Sequence, residues 1–160
     1  MTVETLASLA TFAATFGALL AAHSVGDHWV QTHGQACAKG APGWAGRIAC
    51  AKHVATLTIT KVVAVALVML VTGLRLDGTH LLAGLLIDAA SHYWADRAAG
   101  HEGRTTKVTL ELLAKRLKKS GFYALGDRLT APTGTGAYSL DQSWHVAWLF
   151  VTALVVAGGA

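Results

Sequence analysis

The stretch LLAGLLIDAASHYWAD, residues 81–96, decides the fold of this chain, because it sets three ionisable side chains into an apolar run. Asp88, His92 and Asp96 are four residues apart, which places them on one face of a helix, one turn from each other. Ionisable groups at membrane depth are costly and usually face a bundle interior or a polar cavity. The stretch therefore predicts a helix whose polar face packs inward among other helices.

Two more Asp/His pairs with the same spacing stand at the edges of other apolar runs. They are His23/Asp27 and Asp141/His145. Carboxylate and imidazole together form the ligand set of Zn²⁺, Mn²⁺ and Fe²⁺ sites. The three pairs predict a buried metal or acid–base centre inside a small helical membrane protein.

The composition favours lipid as the main solvent of a single domain, residues 1–160. Hydrophobic residues make up 53% of the chain and charged residues 14%, with a mean hydropathy of +0.46, whereas soluble domains carry about 25% charge. Four runs are close to the ~20 residues that a spanning helix needs. The predicted fold is all-α, an integral-membrane four-helix bundle with spans at approximately 5–30, 53–74, 79–96 and 138–158.

Basic residues set the predicted orientation. Of the thirteen Lys and Arg residues, three lie in 32–52 and eight in 97–137. The positive-inside rule then places both segments in the cytoplasm and both termini outside, in a multi-pass protein of the cell (inner) membrane. The rival interpretation is a cleaved signal peptide ending near His23; it is disfavoured because no Lys or Arg precedes the apolar run.

The basic segment 97–137 contains a candidate lipid-binding helix. Within Lys107–Lys119, leucines and a valine alternate with basic residues, which predicts an amphipathic helix on the cytoplasmic leaflet. Each cation there could add ~1 kcal/mol of attraction to anionic lipid. Nucleic-acid binding is disfavoured because no helix-turn-helix, finger or base-stacking motif is present. Homo-oligomerisation is left open.

The alternating direction of the spans brings the polar pairs to one layer, near the cytoplasmic ends of the helices. His80, twelve residues before His92, falls ~18 Å away toward the opposite face and is excluded; His28, His33 and His101 are disfavoured. His53 is expected to be a ligand or general base, and Gln31 and Gln142 to orient ligands or substrate. The predicted ligands of a divalent metal, most readily zinc, are His23, Asp27, His92, Asp96, Asp141 and His145.

Other polar residues admit plainer explanations. Lys61, inside the second span, is expected to extend to the cytoplasmic surface, the alternative being that it neutralises a buried carboxylate. A loop zinc site formed by His33, Cys37, Cys50 and His53 is disfavoured, because the cysteines lack a CxxC spacing. The Asp/His layer itself could instead be a polar network that holds the helices together.

The polar motifs, taken together, show a family likeness. The succession HSVGDHWVQ (His23–Gln31), His53, SHYWADR (Ser91–Arg97) and LDQSWH (Leu140–His145) resembles an uncharacterised bacterial integral-membrane family, domain of unknown function 3307. The likeness leaves out residues 100–136. It implies a four-helix membrane protein and no particular reaction. The polar positions that it implies are Asp27, Gln31, His53, His92, Asp96, Asp141, Gln142 and His145, with Asp88 less certain.

Three functions are compatible with these patterns. The first is a membrane-embedded metal-dependent hydrolase that acts on an amphipathic or lipid-linked substrate. The second is a non-catalytic scaffold, in which a polar network or metal fixes helix packing and the basic loop binds lipid or a partner. The third is a proton or metal-ion conduit. It is disfavoured because the half of the predicted bundle that faces away from the cytoplasm is apolar.

Overall fold

The computed structural model describes residues 1–98, 113–119, 121, 124–125 and 135–160, and in this part of the chain it is helical with no strand. Helix α1 spans Val3–Val25 and runs directly into a π-helical turn, Gly26–Val30; a short α2 follows at His33–Ala38. The long helices α3, α4 and α5 span Gly43–Thr72, Gly78–Ala98 and Gly136–Ala157.

Local sequence explains where the helices begin and end. The side chains of Thr2 and Thr135 accept hydrogen bonds from the first turns of α1 and α5, and Thr32 forms a reciprocal capping box with Gln35 at α2. Helix α3 ends at Gly73, whose φ of 73° is the left-handed conformation that glycine adopts without strain. At each of these four boundaries, a residue satisfies or terminates the backbone hydrogen-bond ladder.

Asp77 stabilises the first turn of α4 through hydrogen bonds. Its Oδ1 accepts hydrogen bonds from the His80 backbone N–H at 2.9 Å and, at 2.7 Å, from His80 Nδ1. These bonds stabilise the carboxylate and lower the pKa of Asp77 below its ordinary value. His80 thus belongs to the first turn of α4, at the end of the helix away from His92.

Three helices within the described residues are long and apolar enough to cross a membrane, which indicates a membrane protein: Val3–Val30 including the π-helical turn, Gly43–Thr72 and Gly136–Ala157. Helix α4, which carries Asp88, His92 and Asp96, is outside this class. The all-α class is confirmed, together with three helices of spanning length and composition.

Helix α3 begins at Gly43, whereas the sequence analysis began the second span at His53. The turn-forming residues that precede this helix, Gly40 and Pro42, end at position 42. The residues that follow, including the charged Arg47 and Lys52, are compatible with a helix. The added turns pack inward through Cys50, which is fully buried and donates a thiol hydrogen bond to the Tyr93 carbonyl at 3.8 Å. Cys37 and Cys50 are both free thiols.

The predicted amphipathic helix at Lys107–Lys119 lies partly outside the described residues, since 107–112 are not described. Of the rest, residues 113–116 are helical. Ala114 is buried there, while Leu117 is 61% exposed. His101 also lies outside the described residues.

The apolar core receives one residue from each long helix. Leu19, Val65, Leu85 and Leu149 pack together, and α1 and α4 each contact both α3 and α5. Because successive long helices alternate in direction, the next inward-facing residues on one side of this layer are His23 on α1, Lys61 on α3, Asp88 on α4 and His145 on α5. The apolar layer therefore borders a polar one.

Gly26 lets the π-helical turn approach α3. A Cβ built on Gly26 would collide with Leu57 Cδ1, and Leu57 is 2% exposed. The turn also closes with the i→i+5 hydrogen bond typical of π-helix, from the Gln31 N–H to the Gly26 carbonyl at 2.9 Å. These two features bring Asp27, the next residue, against α3.

Substitution of Gly26 by alanine is expected to lower the free energy of unfolding by about 1–3 kcal/mol, because Leu57 must move within a packed core. Gly17→Ala on the same helix is the matched control, since its Cβ would meet nothing within 4 Å; it should be neutral or stabilising by up to about 1 kcal/mol. Unfolding in mixed micelles measures both. Equal effects of the two substitutions would contradict the close approach.

Candidate metal centre

All four long helices, together with the π-helical turn, deliver ionisable side chains to one interior site. The turn brings Asp27, α1 brings His23, and α3 brings His53. Helix α4 adds one Asp/His pair and α5 adds another. The four imidazoles are at most 3% exposed, and Asp96 is equally buried. The structure therefore gathers every predicted ligand: His23, Asp27, His53, His92, Asp96, Asp141 and His145.

The centre of this cluster is a tight group of nitrogen and oxygen atoms. His53 Nε2 lies 3.1 Å from His92 Nε2 and 3.4 Å from Asp96 Oδ2, and His92 Nε2 lies 3.2 Å from the same Asp96 oxygen. Asp27 Oδ1 approaches from the other side, 3.2 Å from His53 Nε2 and 3.8 Å from His92 Nε2. Four side chains from three segments of the chain, the π-helical turn, α3 and α4, thus converge on one point.

Two overlapping triads could hold a metal ion: His53, His92 and Asp96, all buried, and His23, Asp27 and His92. Tetrahedral zinc with bonds of 2.0–2.1 Å places its ligand atoms about 3.3 Å apart. The first triad, with 3.1, 3.2 and 3.4 Å, matches this spacing most closely. His92 belongs to both triads and is the residue on which either arrangement depends.

Several buried polar atoms of the cluster lack a hydrogen-bond partner in the protein. The Asp–His contacts are short, yet Asp27 Oδ1 and Asp96 Oδ2 lack aligned hydrogen bonds, as do His53 Nδ1, His92 Nδ1 and both nitrogens of His23. Buried side-chain polar atoms are usually satisfied. These oxygen and nitrogen atoms lie close together but are not aligned for hydrogen bonds. This is the arrangement expected of ligand atoms around a common cation.

The formal charge of the cluster also favours a cation. It holds the carboxylates of Asp27, Asp96 and Asp141 against one ammonium, that of Lys39, 2.7 Å from Asp96 Oδ1. The Arg97 guanidinium, which donates a hydrogen bond to the Lys39 carbonyl, adds a second positive charge beside the site. With neutral imidazoles, one negative charge remains uncompensated in a largely buried site. A divalent ion would neutralise this charge, and burying an unpaired carboxylate without a cation is costly.

Asp141 and His145 form the outer part of the cluster. The His145 ring stacks on His92, with centroids 4.1 Å apart, and also contacts His23 at 5.0 Å. His145 Nε2 lies 3.6 Å from Asp141 Oδ2, and Gln142 Nε2 donates to the same oxygen at 3.4 Å. Gln142 therefore sits where it can orient Asp141.

Other predicted or disfavoured residues lie outside the tight group. Gln31 ends the π-helical turn, and its buried amide nitrogen has no partner. His28 bonds the Ser24 carbonyl and, through Nε2, the Tyr138 hydroxyl at 2.8 Å. His33 contacts Cys37 on the exposed surface of α2, with Nε2 3.4 Å from Sγ.

Lys39 and Arg97, which no sequence pattern singled out, build one wall of the site. Arg97 Nη1 donates to the backbone carbonyls of Lys39 and Ala41 at 2.8 and 2.6 Å, and thereby fixes the α2–α3 connection. A Cβ on Gly46 would collide with the Ala41 carbonyl and with Arg97, so glycine is required at this crossing. Arg97 follows Asp96 directly, which was a usable signal, whereas nothing in the sequence pointed to Lys39.

The prediction that Lys61 extends to the membrane surface is wrong. Lys61 is fully buried, and its Nζ donates to Asp88 Oδ2 at 2.6 Å. The alternative, neutralisation of a buried carboxylate, is what the structure shows. The reason is the depth of Lys61 in the protein. Its ammonium is within hydrogen-bond distance of Asp88 on the neighbouring α4, so an ion pair inside the protein forms instead of an extended side chain that reaches water. This pair, rather than a metal site, accounts for Asp88.

The chain matches no protein-family model, no curated protein and no solved structure. The site is therefore interpreted from its own chemistry.

Proposed function

We propose that this protein is a membrane-embedded, metal-dependent hydrolase with a His/Asp centre near the cytoplasmic leaflet. The observation that carries the proposal is the triad of His53, His92 and Asp96, whose ligand atoms lie 3.1–3.4 Å apart in a buried site. Two imidazoles and one carboxylate, with a further coordination position open, is a ligand set of catalytic zinc.

In this proposal α4 is a fourth span, and the four long helices form a bundle. Its contacts with α3 and α5 support this arrangement, since neighbouring helices would screen its polar face from lipid. The basic residues of 32–52 and 97–137 favour cytoplasmic loops and external termini, in the cell membrane. The resemblance to the domain of unknown function 3307 agrees with a four-helix membrane protein.

The distances suggest a division of roles within the cluster. We assign the three ligands to His53, His92 and Asp96. Asp27 is then the general base, because its Oδ1 faces both imidazole Nε2 atoms at 3.2 and 3.8 Å without being a member of that triad. His23, with Nε2 3.5 Å from Asp27 Oδ2, holds this carboxylate in place. On α5, the ring of His145 stacks on His92 and holds it in place, while Asp141 contacts His145 and accepts a hydrogen bond from Gln142.

A bound divalent ion would supply Lewis-acid chemistry there, activating water and polarising a carbonyl or phosphoryl group. The protein's own residues do the rest. Asp27 accepts the proton from the attacking water, and the buried walls exclude bulk solvent. A substrate with an ester or phosphoester group near the headgroup layer suits the position of the site, so an amphipathic or lipid-linked substrate is proposed.

The experiment compares metal-stripped and zinc-reconstituted protein on chromogenic aryl esters and aryl phosphodiesters. Zinc-dependent turnover is expected. Asp27→Asn should retain zinc yet lose about 10²–10⁴-fold of the rate, the usual contribution of a general base. His80→Ala, at the other end of α4, should keep both. Zinc-independent turnover, or an Asp27→Asn variant as active as the parent, would contradict the assignment.

A metal-stabilised scaffold is the second candidate, favoured by the contacts that tie the helices together around the site. Arg97 fixes the α2–α3 connection to α4, and Lys61 joins α3 to α4 through Asp88. For a scaffold, zinc would raise the unfolding free energy with no turnover of any ester. A conduit is disfavoured, because the core of Leu19, Val65, Leu85 and Leu149 closes the path beyond the polar layer.

A further inference from the structure

A groove on the outer side of α4 and α5 is lined by three tryptophans. On α4 the lining residues recur at helical spacing, with small side chains at positions 90 and 91 and larger ones at either end. On α5 they are one turn apart. The groove has a volume of about 340 Å³, and its lining residues are Ile87, Ala90, Ser91, Trp94, Trp144 and Trp148.

The indole rings form a continuous wall. The centroids of Trp94 and Trp144 lie 4.8 Å apart, and those of Trp144 and Trp148 lie 5.8 Å apart. Trp144 Nε1 is buried without a hydrogen-bond partner in the protein. An indole N–H usually finds an acceptor when it is buried, so this donor indicates a ligand with an oxygen acceptor beside an apolar body.

Trp144 also lines a second cavity of about 300 Å³, between α5 and residues 113–119. Its other walls are mostly apolar, including Leu113, Leu117 and Leu140, and the polar residues that line it are Ser143 and Lys119. From Trp148 to Leu140 the helix rises about 12 Å, at 1.5 Å per residue. The two cavities share the Trp144 side chain, and the second of them has the Lys119 ammonium in its lining.

The setting of the two cavities restricts what can occupy them. Helix α5 is among the helices long and apolar enough to span a membrane, so its outer face borders lipid. About 12 Å corresponds to most of one leaflet of a ~30 Å hydrocarbon core. Tryptophan is enriched where hydrocarbon meets headgroups, and Lys119 adds positive charge at that end.

We propose that the two cavities together bind one acyl chain of an anionic phospholipid. The chain lies along the wall formed by Trp94, Trp144 and Trp148, and the headgroup lies at Lys119. Trp144 Nε1 donates to an ester or headgroup oxygen. This site is on the outer side of the helices that carry the His/Asp cluster, and it does not depend on metal or on hydrolysis.

Tryptophan quenching by brominated lipid tests this site directly in the metal-free protein. Trp29→Phe/Trp44→Phe removes the two remaining tryptophans, which are both exposed, so that the three groove indoles alone report. This protein is placed in phosphatidylcholine vesicles that contain a low, equal fraction of chain-dibrominated phosphatidylglycerol or phosphatidylcholine. We expect phosphatidylglycerol to occupy the groove about fivefold more strongly, the factor that one cation near a membrane surface provides.

Variants separate the groove from bulk lipid. Ala90→Phe fills the cavity and should abolish the excess quenching, and Ala147→Phe should do the same from the second cavity. Leu86→Phe is the matched control on α4, because residue 86 is 61% exposed and is not part of the lining; it should keep the excess. Lys119→Gln should remove the headgroup preference while quenching by both lipids persists.

Two results would overturn the proposal. One is quenching that follows the bulk fraction of brominated lipid for both headgroups and is unchanged by Ala90→Phe and Ala147→Phe, with circular dichroism showing that both variants fold. The other is excess quenching that disappears as the protein-to-lipid ratio rises, which would mean that a second copy of the chain covers this face.

Discussion

His92→Ala is expected to lower the affinity for zinc by at least about 100-fold. His92 is the ligand that the two candidate triads share, and its Nε2 lies within 3.8 Å of atoms from Asp27, His53 and Asp96. Loss of a residue that merely orients a ligand costs 10–100-fold, so loss of a shared ligand should exceed this range. Competition with a chelator in equilibrium dialysis measures the affinity.

His80→Ala is the control for this experiment. His80 is half-exposed and bonds Asp77 at the other end of α4, so its removal should leave the zinc affinity unchanged. If His92→Ala bound zinc as tightly as the parent while His80→Ala lost it, the metal would be elsewhere. Asp27→Asn distinguishes the triads, because it should preserve binding if the ion is held by His53, His92 and Asp96.

Lys61→Met is expected to lower the free energy of unfolding by about 3–5 kcal/mol, because it leaves Asp88 as an uncompensated buried charge. Both partners are at most 3% exposed, and the Nζ–Oδ2 distance is 2.6 Å. The double variant Lys61→Met/Asp88→Leu should recover most of the loss, since replacing a buried pair by apolar residues is often neutral or stabilising. Unfolding in mixed micelles measures all three proteins.

The contrast between single and double variants identifies the mechanism. A buried pair predicts strong coupling between the two substitutions. If Lys61→Met cost no more than about 0.5 kcal/mol, water would have to reach Asp88, and the pair would behave as a surface salt bridge. If the double variant were the least stable, the methylenes of Lys61 and their packing would dominate over its charge.

The sequence predicted the cluster well because the Asp/His spacing and the alternating direction of the helices are both local and simple. Spacings of four residues placed His23 with Asp27 and His92 with Asp96, and the chain direction placed the pairs in one layer. His53 followed from the same reasoning. These predictions needed only helical periodicity and short connections, so the structure brings together all the residues they named.

Features that depend on tertiary contact could not be predicted. Lys39 reaches Asp96 only because Arg97 fixes the α2–α3 connection, and Gly46 leaves room for this crossing. Nothing local distinguishes Lys39 from any other loop lysine. Lys61 was misassigned for the same reason, since its partner Asp88 is on another helix and the choice between water and an internal carboxylate depends on their distance.

The start of α3 and the tryptophan groove also depend on tertiary contacts, so neither could be predicted from the sequence. Residues 43–52 carry two basic side chains and two glycines, a composition typical of a loop, yet burial of Cys50 against α4 supports a helix. Tryptophans at these positions in the sequence, near the ends of apolar runs, are typical of membrane anchors. Their arrangement around small residues of α4 is a property of how two helices pack, and a single sequence carries no signal for it.

The most direct test of the central claim, a divalent-metal centre in the buried His/Asp cluster, is zinc X-ray absorption on the reconstituted, dialysed protein. The claim predicts retained zinc with nitrogen and oxygen ligands at about 2.0–2.1 Å, outer-sphere scattering from imidazole, and loss of this signal in His92→Ala. Zinc that dialyses away completely, or a shell with sulfur at about 2.3 Å, would contradict it. Sulfur would redirect the assignment to Cys37 or Cys50, the free thiols of the chain.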